Sequence, residues 1–434
     1  MNPIAPNRIN PRATERTAQR GAATLVVTVA LFVAMLLVTV YLNRNLVFEQ
    51  RASANQARAT QAFEAAEAGL EWAQAQLNAS GRIGADCRPS NDAADSSFRE
   101  RFLQYDEGAA TFTPATWVQG TVPVVRQAEC VRSAAGWSCS CPLSGWPTLT
   151  TTNDVASAPA FRIQFQASGA AGVIRLLATG CSRLGGECSV AGGTATEAVA
   201  HVEVTLGLVP GLKTAPTAAL TARGSVAAAG AALGAHHGDA ASGGIALHAG
   251  GAIAAPLARI DGPAGSVVDD AVVANDSALA GLDPNAFFVS YFGMRASDWN
   301  AQSVVTTLRC DGPCGDALTA VIEPGVINPL VRVRGDLQLD GPLVLGTPQR
   351  PVLIVVDGTA QLRGAVVIHG LLYAGSLRWD DTAGAGALVR GAAISEGGYG
   401  GNGAPDFAYD AAVLATLKGN TGSFARINGS WRDF

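Results

Sequence analysis

An uncharged apolar run from Gly21 to Leu42 constrains this chain more than any other feature. About twenty residues, each rising roughly 1.5 Å in a helix, cover the roughly 30 Å hydrocarbon core of a bilayer. The run is therefore long enough to cross a membrane once. A secretory signal has a shorter apolar core and a small-residue cleavage site after it, whereas here the small residue, Gly21, stands before the run. A cut after Gly21 removes residues 1–21 alone and leaves Ala22 heading an apolar helix. The leader carries Arg8, Arg12, Arg16 and Arg20 against the single Glu15. Basic flanks stay cytoplasmic, which directs the rest of the chain outward despite Arg44 and Arg51 after the run.

The helical pattern continues past the apolar run without a proline. Leu46, Ala52, Ala59, Phe63, Ala66, Leu70, Ala73 and Leu77 recur near three-to-four spacing, the mark of an amphipathic helix, and nothing interrupts it until Asn78–Gly81. The expectation is one helix over residues 22–79, with 22–42 in the membrane and roughly 80 Å long in all. A coiled-coil stalk is the bland alternative. A weak heptad and many alanines favour packing against a domain of the same chain.

The stretch QRGAATLVVTVALFVAMLLVTV followed by QAFEAAEAGLEWAQ resembles the amino terminus of PilX-type minor pilins of type IV pili. Arg20 and Gly21 fall where that family has its processing site, and Ala62 to Leu70 match its AFxAAEAGL segment. The resemblance covers about the first eighty residues. It implies cleavage by a prepilin peptidase between Gly21 and Ala22, residence in the inner membrane as a single pass with a cytoplasmic amino terminus, and later packing against other minor and major pilins through the helix. One position departs from the pattern. Most pilins carry Glu at the fifth residue after the cut, and here that residue is Val26, an absence that resembles some tip subunits, including the K subunit of type II secretion pseudopili.

The remainder fits an exported protein. At 434 residues the chain exceeds one ordinary domain. A formal net charge of -5, unclustered, gives no basis for nucleic-acid binding. All eight cysteines, Cys87, Cys130, Cys139, Cys141, Cys181, Cys188, Cys310 and Cys314, lie beyond the apolar run, as disulfides in an oxidising compartment would. Local loops are the expected pairs, Cys181 with Cys188 and Cys310 with Cys314. The other four form a second group whose connectivity stays open.

The fold class expected is α+β: the long helix packed on a small antiparallel sheet, then a mainly β outer domain. FRIQFQA, GVIRLLATG and EAVAHVEVTLGLV read as strands of a pilin-like head over residues 80–212, and the prolines of Val209–Pro216 read as its boundary. From 213 to 434, glycines punctuate short apolar runs such as VRVRGDLQLDGPLVLG and PVLIVVDGTAQLRGAVVIHGLLYAG, the pattern of stacked coils in a parallel β-solenoid. An antiparallel sandwich with tight turns is the alternative. Within this part, residues 282–302 break the pattern with an Asp283 cap, Pro284 and the aromatics Phe287, Phe288, Tyr291 and Phe292. They are expected to form short helices that close an open end of the stack, or else a partner-binding patch.

No arrangement of residues points to catalysis, a metal or a cofactor. His236, His237 and Asp239 make a poor ligand set, and Asp336, Asp340, Asp357, Asp380 and Asp381 read as solvated turn residues. The expected function is that of a minor pilin that helps initiate a type IV pilus and occupies its tip region at the cell surface. The alternatives are an adhesin whose outer domain binds a surface receptor, and a type II secretion tip pseudopilin.

Overall fold

The computed structural model describes residues 20–149, 158–189, 198–229, 233–322, 330–381 and 386–434. The leader arginines Arg8, Arg12 and Arg16 lie outside them. The chain divides into two compact units, Met1–Thr60 and Gln61–Phe434. A single helix, Arg20–Leu77, supplies residues 20–60 to the first unit and 61–77 to the second. In the first unit the apolar side chains from Leu25 to Leu42 are exposed on every side of the helix, and the helix is long and apolar enough to cross a membrane.

In the second unit, residues 61–77 bury one face against an antiparallel seven-stranded sheet. Its centre is the expected trio of strands, Ala160–Ala167, Val173–Cys181 and Val199–Pro210. Alternate residues Phe161, Ile163, Phe165, Ile174, Leu176, Ala178, Val202, Val204 and Leu206 form the inner face, as a period of two requires. Strands Gln127–Ser133 and Gly136–Ser140 extend one edge. The other edge comes from the end of the chain: Gly422–Arg426 pairs antiparallel with Val199–Pro210, with Pro210 opposite Gly422, and Arg432–Asp433 pairs beside it.

That return corrects the expected division at 212. Residues 422–434 are part of the head, and everything between Pro210 and Gly422 is an insertion between two neighbouring antiparallel strands. The inserted part is a 16-stranded sheet in which every described pairing is parallel. The antiparallel alternative is not seen among its described strands. Inward residues stack in columns from coil to coil. One column runs Val331, Ile354, Leu372, Ala393, Leu220, Leu247 and Val272. The stacking order is not the chain order: coils 330–345, 352–369, 370–391 and 392–409 follow one another, and coils 218–236 and 245–261 then stack beyond the last of them.

The strands of these coils are buried on both faces, which is why PVLIVV and GLLYAG read as unbroken apolar runs. The residues between the inward ones, Leu330, Leu353, Val355, Leu371, Tyr373, Ala392 and Ile394, face outward into a second core. Its cover is the aromatic insertion. Helix Pro284–Phe292 starts at the Asp283 cap, whose side chain accepts from the Ala286 amide, and ends on Gly293 in the left-handed region. It sets Phe287, Phe288 and Phe292 around Tyr373, with Trp299 from helix Ala296–Asn300 packed beside them. The expected end cap is thus a flank cover, because the outward residues of four successive coils form an apolar face that has to be buried. The coil that starts at Leu330 is covered instead by strand Val305–Arg309, which pairs with Leu330–Arg334, and by helix Gly315–Ile322. That helix buries Leu318 in the inner core and lies against Leu337–Asp340 and Leu343–Leu345, where a further coil would otherwise sit.

Candidate functional site

The amino-terminal helix is the element with the clearest chemical task, and its two parts are built differently. In the second unit, Ala62, Ala65, Ala66, Leu70, Ala73 and Leu77 are 0–3% exposed. Small residues at this spacing let the helix lie very close to the sheet. At Gly180 a Cβ would fall 2.0 Å from the Ala62 carbonyl oxygen, and at Gly69 one would touch the Phe161 ring at 3.0 Å. The AFEAAEAGL segment is therefore a packing surface in its apolar residues. Glu67 within it and Glu71 just after it hold the returning end of the chain: Glu67 accepts from Trp431 Nε1 at 2.6 Å and Glu71 pairs with Arg426 at 2.7 Å. Asn78 closes the contact through two hydrogen bonds with the Phe424 backbone.

Two buried arginines that the sequence reading passed over fix the junction behind the helix. Arg99 donates to the carbonyls of Leu77, Asn420 and Gly422. Leu77 ends the long helix and Asn420 ends helix Ala411–Asn420, so one cation serves the negative ends of two helix dipoles. Burial pulls its pKa down to about 10, against the favourable field of Glu100. Arg101, 1% exposed, gathers the carbonyls of Ile83, Gly84 and Cys141 and pairs with Asp95 at 2.9 Å. FRERF looks like an exposed polar turn in sequence. The only local sign of its role is the pair of phenylalanines that draws the short helix into the core.

In the first unit Val26 is 64% exposed on the helix. Arg20, Gly21 and Ala22 open that helix, and their side chains lie outside what is described. The structure pairs all eight cysteines: Cys87 with Cys141, Cys130 with Cys139, Cys181 with Cys188, and Cys310 with Cys314. Cys130 and Cys139 are direct cross-strand partners, and Cys87–Cys141 ties the loop held by Arg101.

The carboxylates singled out by type do not converge. Asp336 accepts from the Thr359 amide, Asp340 from Gln338, Asp357 pairs with Arg332, and Asp380 with Arg378. Asp381 sits in a turn, its amide bonded to Asn402. His236 lies between Asp261 and Asp406. His237 is buried and stacked 3.8 Å from the Tyr409 ring, while Asp239 caps the turn at 240–242. His236 ends strand Gly234–His236 and the other two follow it, and the three share no common ligand position. Among the described residues no group of three or more His, Cys, Asp or Glu side chains is placed to hold a metal ion.

Residues 20–71 match the family model described as PilX N-terminal, so the amino-terminal segment is similar to that of PilX-type proteins, and the match ends before the inserted sheet. No curated protein matches the chain. Among solved structures, the competence-associated pilin ComZ from Thermus thermophilus aligns over 87% of this chain and 97% of its own, at 13% identity and a TM-score of 0.22. At that score the superposition carries no argument about the fold.

Proposed function

We propose that this chain is a minor pilin that initiates assembly and occupies the tip region of a type IV pilus, with its outer part built as a β-solenoid. A pilin-like role rests on the PilX-type segment and on an apolar helix long enough to span a membrane. The observation that carries the finer reading is Val26. Where pilins place a Glu that pairs with the amine of the previously added subunit, this chain presents an exposed valine. A first subunit has no earlier amine to neutralise, and an unpaired carboxylate within the bilayer is costly, up to about 2.5–3.5 kcal/mol on insertion scales where it lies at the centre. The inserted outer domain supports the same position, since so large a mass is difficult to repeat along a packed shaft.

In this reading a prepilin peptidase cuts after Gly21, the mature chain waits in the inner membrane, and other pilins pack on its helix. Antibodies raised against residues 211–421 test it. Label confined to pilus ends is expected, and label spread evenly along the shaft would defeat the tip assignment. Val26→Glu should lower the number of pili without lowering the amount of this subunit. Intact mass of the mature chain should correspond to a start at Ala22.

A further inference from the structure

Coils 392–409, 218–236 and 245–261 meet at a seam where chain order and stacking order part, and one polar cluster staples all three. Strand Gly234–His236 lies between Asp406–Tyr409 on one side and Ile260–Asp261 on the other. His236 Nε2 stands 3.1 Å from Asp406 Oδ1, and its Nδ1 contacts Asp261 Oδ1. Arg259, from the third coil, reaches past the second to pair with Asp406 and to donate to the Ala404 carbonyl at 3.0 Å. Gly234 is shaped to this arrangement: a Cβ there would lie 1.9 Å from Asp406 Oδ1, in the path the carboxylate takes to the ring.

We infer that this cluster is a proton-operated staple that closes the coil seam when His236 is an imidazolium and loosens it when the ring is neutral. The argument is geometric. Each ring nitrogen faces a carboxylate oxygen, and only the imidazolium has two N–H donors. A neutral ring satisfies one aspartate and turns a lone pair toward the other. The charged form also balances the cluster, with His236 and Arg259 against Asp261 and Asp406. Partial burial disfavours the charged ring, but the hydrogen bonds to Asp406 and Asp261 outweigh it and raise its pKa above the ordinary value.

The other titratable groups near these strands have partners of their own. Asp239 is held by Ser242, His248 is bonded to Asp276, and Arg390 is paired with Asp410. His237 stacks on Tyr409, and burial lowers its pKa, the opposite direction to that of His236.

The direction of the effect follows from linkage. A histidine with a raised folded-state pKa contributes stability that is fully present below the unfolded value near 6.5 and is lost as pH rises through the folded value. Each unit of that rise makes about a tenfold difference in the opening equilibrium between the two ends of the window. The test is hydrogen exchange on the full chain in detergent micelles, with seam amides at 234–236, 260–261 and 406–409 compared with amides at 352–356 after correction for intrinsic rates. Seam protection should fall severalfold to tenfold between pH 5.5 and pH 8.5, while residues 352–356 stay constant. His236→Gln, whose amide donates to one aspartate at any pH, should abolish the dependence and keep the fold. Ring-proton NMR of His236, assigned by its loss in that variant, should titrate above 6.5. Equal seam protection at both pH values, or titration at or below 6.5, overturns the inference.

Discussion

The head and the coils solve the same burial problem with opposite materials. The head core is aromatic, with Phe98, Phe102, Phe112, Phe161, Phe165 and Phe424 between one helix and one sheet. The inner core of the coils is mostly Ala, Val, Leu and Ile in columns, with Trp379, Tyr399 and Phe407 at one place. A two-layer packing leaves a wide gap that large rings fill. Stacked coils leave a narrow interior repeated every 4.7–4.9 Å, which small branched residues fill without strain. The difference teaches where each region is vulnerable. The head depends on a few long-range anchors, whereas the coils depend on uninterrupted stacking.

The largest effect expected separates the two by deletion. A chain ending at Leu212 loses strand Gly422–Arg426, the core ring of Phe424 and the Asn420 and Gly422 carbonyls that Arg99 bonds. It should unfold without cooperativity and be cleared by protease. A chain in which Asn-Gly replaces 211–421 keeps that strand, because Pro210 and Gly422 are already opposite one another and Asn-Gly suits a two-residue hairpin turn. Limited proteolysis and circular dichroism on both chains decide the matter. Equal behaviour would mean that the returning strand is not an anchor.

That prediction bears on what the sequence could reveal. Three head strands and the apolar helix were legible because their signals are local: period-two alternation in FRIQFQA and an unbroken apolar run. The hairpin that brackets the insertion was not, since its two strands are separated by the whole outer domain and Gly422–Arg426 has no pattern that names a partner. The short strands of the outer part were readable from Gly punctuation, yet their order was not, because parallel registers of similar apolar runs look alike until tertiary pairing selects one. The flank cover was within reach. Both-face burial was written in VLIVV and GLLYAG, and a second face that apolar needs a lid along its length. At the candidate site, Val26 was visible by its position after Gly21, whereas Arg99 and Arg101 were hidden because burial of a cation depends on carbonyls supplied from Leu77, Cys141 and Asn420.

Next in size is the close approach of helix and sheet. Gly180→Val places branched carbons where the Ala62 carbonyl and Ala66 amide already stand, and no rotamer avoids them. Overpacking costs about 1–3 kcal/mol and more where backbone must move. Arg99→Met should cost a similar amount, because three buried carbonyls lose a charged donor at about 1–3 kcal/mol for each group left unsatisfied, without simple additivity. Denaturant titration followed by head tryptophan fluorescence measures both. In the coils, Gly375→Ala also meets backbone, at 2.9 Å from the Asp357 and Gly358 carbonyl oxygens, and its effect should stay with the stack. A Gly180 variant as stable as wild type would refute the close packing.

The disulfides sharpen the same contrast. Cys87–Cys141 spans 54 residues of sequence and Cys310–Cys314 spans 4. On the chain-entropy account the first stabilises by about 4 kcal/mol and the second by about 2 kcal/mol. Replacing both cysteines of each pair with serine should therefore lower the denaturation midpoint of the head more than that of the coils. The reverse order would show that native-state packing, and not loop entropy, sets the contribution of these bridges.

The smallest effect tests the lid on the coils. Asp283 accepts a hydrogen bond from the Ala286 amide at 2.8 Å and so satisfies one free donor at the start of helix Pro284–Phe292. Its loss in Asp283→Ala should cost about 1 kcal/mol, too little to disturb the inner columns. The consequence should be local. The first turn frays, the hold of Phe287 and Phe288 on Tyr373 weakens, and the outward faces of Leu353, Val355 and Leu371 come into contact with solvent more often. Hydrogen exchange should accelerate about fivefold at 286–292, which is what 1 kcal/mol amounts to, with little change at 330–334. If these helices served as a partner's docking patch and contributed nothing to the coils, fraying them would leave the Tyr373 ring environment unchanged. Near-ultraviolet circular dichroism, which senses how tightly Tyr373 and Trp299 are held, should instead lose part of its signal as the lid loosens.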